Sequence, residues 1–191
     1  MDPFIARAVA VLGSGGVVGI PTDTVYGIGA DPFDEAAVAR LYAIKGREEA
    51  KAISVLAADA AQAATVALVP EAARRIAGRH WPGPLTMVLR RAAGAPPWLG
   101  DPRRDTVGVR VPDHEVALAL LRAAGPLSVT SANPSGRPPA SGSEEAVALL
   151  GDLVDLYLPG PAGGGEASTV VDLTGSEPRL LRGGPLPISL L

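Results

Sequence analysis

Residues 153–181 read LVDLYLPGPAGGGEASTVVDLTGSEPRLL. Three apolar runs, Leu153 to Leu158, Thr169 to Leu173 and Arg179 to Leu181, are separated by glycine, proline and serine, so each reads as a strand. The Pro159 to Ala167 spacer is dominated by glycine and proline, which suits a mobile flap over a site. Working back along the chain, strands are expected at Val17 to Ile20, Ala52 to Leu56, Leu85 to Leu89, Thr106 to Val111 and Leu127 to Thr130.

Helices interleave with these strands irregularly. Phe4 to Leu12 reads as a helix stopped by the glycines at 13, 15 and 16. Asp34 caps a second that runs to about Ile44, with Val38, Leu41 and Tyr42 on one face. Asp59 and Pro70 open two more, the latter ending near Gly78. Asp113 caps a helix through Arg122, and Ser141 or Ser143 caps Glu144 to Leu150. An irregular alternation with a strand-rich end favours one α/β domain over residues 1–191, a mixed sheet flanked by helices.

Composition narrows the class. The chain has 191 residues, 47% hydrophobic and 19% charged, enough for one sizeable core. The stretch from Ala8 to Thr22 is too short to span a bilayer, and Met1-Asp2-Pro3 lacks a signal peptide's basic start. The cytosol is therefore the expected location. Without cysteine there is no disulfide or thiolate chemistry, and the two histidines, His80 and His114, lack metal spacing. A net charge of −3 argues against a nucleic-acid coat protein, so any tRNA contact should be weak. Lys45 and Lys51 are the only lysines and Asn133 the only asparagine, in a chain rich in Ala, Gly, Pro and Arg.

Neither common nucleotide fingerprint is present: there is no GxxxxGK[ST], and Gly13-Ser14-Gly15-Gly16 precedes a strand instead of following one. Polar residues instead gather where strands end. Thr22, Asp23, Thr24 and Tyr26 follow the Val17 strand, where open α/β sheets place ligands, although a hydrogen-bonded turn explains them equally well. Lys45 and Arg47 close a helix, where cations suit either the helix dipole or a polyphosphate. The run from Ser128 to Gly136 offers hydroxyls, an amide and free N–H groups for a phosphate or an adenine edge. Arg110, between Val109 and Val111, needs an anion, either an internal carboxylate or that of a ligand.

Together PTDTVYG (21–27), KGR (45–47), WPGPLT (81–86), TVGVRVP (106–112), TSANPSG (130–136), STVVD (168–172) and LLRGG (180–184) resemble the YrdC/TsaC family in order and spacing. The resemblance implies a twisted α/β sheet with an open concave face, in the family's short single-domain form. It also implies condensation of L-threonine, bicarbonate or CO2, and ATP into threonylcarbamoyl-AMP and pyrophosphate. Partner proteins would then pass the threonylcarbamoyl group to tRNA. Carried onto this chain, it puts Thr22, Tyr26, Arg110 and Ser168 near threonine. Lys45, Arg47, Thr106, Ser131, Asn133 and Arg182 fall around ATP, with Lys45 and Arg47 as electrostatic catalysts. Mg²⁺ would be held mainly by phosphates and water, with no metal site in the protein. The chain departs from the family pattern at Glu48 to Ile53, which leaves the role of Ser54 open. Two alternatives use the same fold: an RNA-binding or ribosome-associated protein, and carbamoyl transfer as in hydrogenase maturation.

Overall fold

The computed structural model describes residues 2–46, 52–187 and 189. Its helices are α1 (Pro3–Gly13), α2 (Glu35–Lys45), α3 (Ala60–Ala63), α4 (Glu71–His80), α5 (Glu115–Ala124) and α6 (Ser143–Leu150). Its strands are β1 (Val18–Ile20), β2 (Gly27–Ala30), β3 (Ser54–Leu56), β4 (Leu85–Arg90) and β5 (Thr106–Arg110). They continue with β6 (Leu127–Ser131), β7 (Leu156–Tyr157), β8 (Thr169–Asp172) and β9 (Arg179–Arg182).

All nine strands form one sheet, in the order β7-β1-β2-β6-β3-β5-β4-β8-β9. Three neighbouring pairs are parallel (β1–β7, β3–β5 and β4–β8) and the other five antiparallel, as the irregular alternation predicts. Helix starts follow local chemistry. Asp2, Asp34 and Asp59 each accept a backbone N–H as N-caps, and Gly46 ends α2 in the left-handed conformation.

Several expectations shift. The α5 cap position falls on His114, not Asp113, and that of α6 on Gly142, neither with a side-chain cap bond. Ser141 instead donates its hydroxyl to Glu145. The α4 helix continues past Gly78 to His80, and the expected Leu153–Leu158 strand shrinks to the two-residue β7, with Leu153 ending a 3₁₀ turn and a bend at 154–155 before it. A strand that the sequence conceals is β2, GIGA, because glycine and alanine are poor strand formers. Close packing selects them. A Cβ on Gly27 or Gly29 would stand 2.8 or 3.0 Å from a Val129 methyl.

Alternation along the strands sorts the core. Leu85, Met87, Val107 and Val109 join one cluster with Ala73, Ile76 and Ala77 of α4. Ile28 and Ala30 join another with Ala37 and Leu41 of α2 and Ala146 and Leu150 of α6. A third cluster joins Val18, Ile20, Leu56 and Leu127 to α1 and α5. Gly108 and Arg110 alternate with Val107 and Val109, so they lie on the face opposite the α4 cluster. There a cleft remains.

Candidate active site

The cleft encloses about 190 Å³ and is lined by residues from the 22–25 loop, β3, β4, β5, β6 and the 167–168 turn. Arg110 stands on its wall, only 5% exposed. Its Nε donates to the Gly83 carbonyl (2.9 Å), one terminal nitrogen to Thr24 Oγ1 (2.7 Å) and the other to Asp23 Oδ1 (2.5 Å). The anion that the sequence demanded is thus supplied internally, by Asp23. Three of the five guanidinium N–H groups are used in these bonds. Burial lowers the Arg110 pKa from its ordinary value; Asp23 opposes the fall and Arg182 adds to it. Two guanidinium groups therefore act on one cleft, which favours a further anion there.

Hydroxyl groups supply the rest of the polar surface. Thr22 Oγ1 donates to the Val25 carbonyl at 2.7 Å and lies 3.1 Å from Thr24 Oγ1. Buried Ser168 pairs with Thr86 across 2.8 Å, and Arg182 donates to the Ser168 carbonyl and hydroxyl. Ser54 also lines the cleft, over Gly108, where a Cβ would crowd its Oγ at 3.0 Å.

The structure brings together Thr22, Arg110, Ser131, Ser168 and Arg182 at this cleft. Lys45 and Asn133 stand behind Ser131. The buried Lys45 ammonium donates to Ser131 O (2.7 Å), Asn133 O (2.6 Å) and Asn133 Oδ1 (2.8 Å), and lies 3.2 Å from Ser131 Oγ. The Asn133 amide donates inward, to the Pro134 and Arg137 carbonyls at 3.0 and 2.6 Å. Both residues brace this loop, and neither is among the residues that line the cleft.

Tyr26 does not wall the cleft. It is fully buried and donates to the Leu158 carbonyl, and burial with Tyr157 nearby raises its pKa well above a phenol's ordinary value. Thr106 occupies the far end of β5, buried and bridged through its backbone to Asp101. It shares a face with Arg110, roughly 13 Å away at ~3.3 Å per residue. Arg47 lies outside the described residues, as does most of the 48–53 departure. In the Pro159–Ala167 segment, the N–H groups of Gly163, Gly164 and Gly165 all donate to the Thr22 or Thr24 carbonyl, which lays the segment against the 22–24 loop. Sequence reasoning left Asp23, Thr24 and Thr86 without roles. Alternation in LTMVLR sets Thr86 opposite apolar Leu85 and Met87, and that signal could have found it.

A model of the Sua5/YciO/YrdC family, described as telomere recombination, matches residues 10–184. The chain is a member of that family. A Mycobacterium tuberculosis relative is 45% identical over 184 residues, 95% of this chain and 84% of its own length. A Halorhodospira halophila relative, named threonylcarbamoyl-AMP synthase, is 44% identical over 172 residues, 88% of this chain and 90% of its own. Among solved structures, Pyrococcus abyssi Sua5 complexed with L-threonine superposes over 97% of this chain, with a TM-score of 0.92 and 37% identity. This Sua5/YciO/YrdC chain spans just over half of that protein, 55%. Escherichia coli YciO aligns over 96% of this chain and 90% of its own, with a TM-score of 0.89 and 31% identity.

Proposed function

We propose that this chain is a threonylcarbamoyl-AMP synthase that uses the cleft to hold L-threonine beside ATP. The observation that carries this reading is the pair of guanidinium groups, Arg110 and Arg182, acting on one hydroxyl-lined cleft. Relatives named for that activity support it, as does the likeness to a Sua5 complexed with L-threonine.

Arg110, fixed by Asp23 and Thr24, offers its remaining N–H groups to the threonine carboxylate. Thr22 and Ser168 bound the amino-acid end. Ser131 and Arg182 face the nucleotide, with Lys45 and Asn133 holding the Ser131 loop in shape. Thr106 and Arg47 complete the nucleotide side as the family resemblance implies. Bicarbonate takes up one proton and loses water to give CO2; the threonine amine attacks that carbon, and the nitrogen releases one proton, which balances the one taken up. A carbamate oxygen then attacks the α-phosphorus, and pyrophosphate leaves with the bond's electron pair. No covalent enzyme intermediate is needed, so positioning and cationic groups supply the catalysis. Among the described residues no group of three His, Asp or Glu side chains could cage a metal, and Asp23 is committed to Arg110. Mg²⁺ would accompany the ATP substrate, held mainly by its phosphates and water.

The product would pass to threonylcarbamoyl-transfer proteins, with tRNA touching this chain weakly at most. No helix of the described residues is long and apolar enough to cross a membrane. Incubation with threonine, bicarbonate and ATP should give a nucleotide whose mass is that of threonylcarbamoyl-AMP. Its absence after incubation of the folded protein with all three substrates would refute the assignment.

A further inference from the structure

We propose that Gly163 is a positioning residue for the amino-acid end of the cleft, acting through the backbone of Asp23. The inference rests on the proposed function for its substrate but on separate atoms for its cause. Residues 162–165 form a strap across the 22–24 loop. Gly163 N–H donates to the Thr22 carbonyl at 2.8 Å, and Gly164 and Gly165 donate to that of Thr24 at 3.1 and 2.8 Å. Ala162 N–H ties the strap's other side to the Ser141 carbonyl at 2.7 Å.

Contact is tightest at Gly163. A Cβ there would stand 2.7 Å from the Asp23 carbonyl oxygen and 3.0 Å from both its carbonyl carbon and Cα. These are backbone atoms, so no rotamer change relieves the clash; either the strap or Asp23 must move. One residue on, a Cβ at Gly164 would meet the same oxygen at 3.4 Å, ordinary contact. Neither glycine has the positive φ seen at Gly165 (+68°), so alanine suits the backbone at both positions and only space separates them.

The consequence reaches Arg110. Two of its three hydrogen bonds go to side chains of the strapped loop, Asp23 and Thr24. A displaced Asp23 releases the guanidinium from the orientation in which it meets the substrate carboxylate. Gly163 itself is exposed, so its replacement removes nothing from the core.

The test pairs Gly163→Ala with Gly164→Ala in the full chain. Because Arg110 binds the carboxylate alike in ground and transition states, Gly163→Ala should raise KM for threonine roughly tenfold with kcat changed far less. Gly164→Ala should stay within about twofold of wild type, the result for an ordinary contact. Combined with Asp23→Asn, Gly163→Ala should add almost nothing further, because both act through one group. Should Gly163→Ala fold poorly, wild-type protein gives the answer by hydrogen exchange. By reciprocity, saturating threonine must slow exchange of the Gly163 to Gly165 amides. Equal threonine KM in the two glycine variants, fully additive losses, or strap amides indifferent to threonine would each overturn the proposal. Absence of threonine binding by wild type would overturn the assigned substrate, and this role with it.

Discussion

Arg110 was legible as a buried cation in an apolar strand, but its partner was not, because Asp23 is 87 residues away and meets it only after folding. Asp23's side chain is 14% exposed, so removing the guanidinium strands a largely buried carboxylate as well as a ligand contact. Arg110→Ala should therefore weaken threonine binding by about 1.5–3 kcal/mol and lower the melting temperature too. Calorimetric titration of a folded variant checks this; unchanged affinity would mean that the guanidinium serves Asp23 alone. Asn133, the only asparagine, donates its side-chain amide to the Pro134 and Arg137 carbonyls. Asn133→Asp points a carboxylate at the Pro134 and Arg137 carbonyls that the amide now bonds, while leaving Lys45 an acceptor. Melting temperature and ATP affinity should fall together, through a distorted 131–137 loop. A large loss of ATP binding at unchanged stability would put the amide back against the ligand. Tyr26→Phe strands the buried Leu158 carbonyl, so stability should drop by about 1–3 kcal/mol with threonine affinity intact.

Elements with strong local signals were readable: α1, α2 and α3 carry aspartate caps, and β4 to β6 carry branched apolar residues between turn formers. Those chosen by neighbours were not. The GIGA strand forms because Val129 and Ile20 leave no room for side chains, a property of partners distant in sequence. Glycine richness in 159–167 suggested mobility, yet the same lack of Cβ atoms lets the strap lie against Asp23. At the β8–β9 edge, Asp172 is buried and receives Thr174, Arg104 and Arg179. Burial alone would raise its pKa, but the bonds from Thr174 and the two guanidiniums outweigh it and hold the carboxyl well below the usual range. A depressed folded pKa stabilises above the unfolded value of roughly 3.9, and this is lost as pH falls through the folded one. Asp172→Asn should thus lower the melting temperature at pH 7, with the gap closing progressively below about pH 4. A gap that stays constant down to pH 2 would contradict this account of the edge.

For the molecule as a whole, a mixed sheet flanked by helices was foreseeable from strand and helix order, and an open face only from the family resemblance; which strands adjoin was not. The order β2-β6-β3-β5-β4 joins residues far apart in the chain, and it draws Thr22, Arg110, Ser131 and Ser168 to one opening. That convergence is what a list of separate motifs could not supply. A chain of net charge −3 should bind bare tRNA weakly, with affinity falling steeply as salt rises; tight, salt-resistant binding would favour an RNA-binding role. The most direct test of the synthase assignment is the stoichiometry of phosphate release from ATP. If a carbamate oxygen is the nucleophile, pyrophosphate should appear only when threonine and bicarbonate are both present, one for each nucleotide product formed. Orthophosphate in its place, or pyrophosphate release indifferent to threonine, would contradict the account.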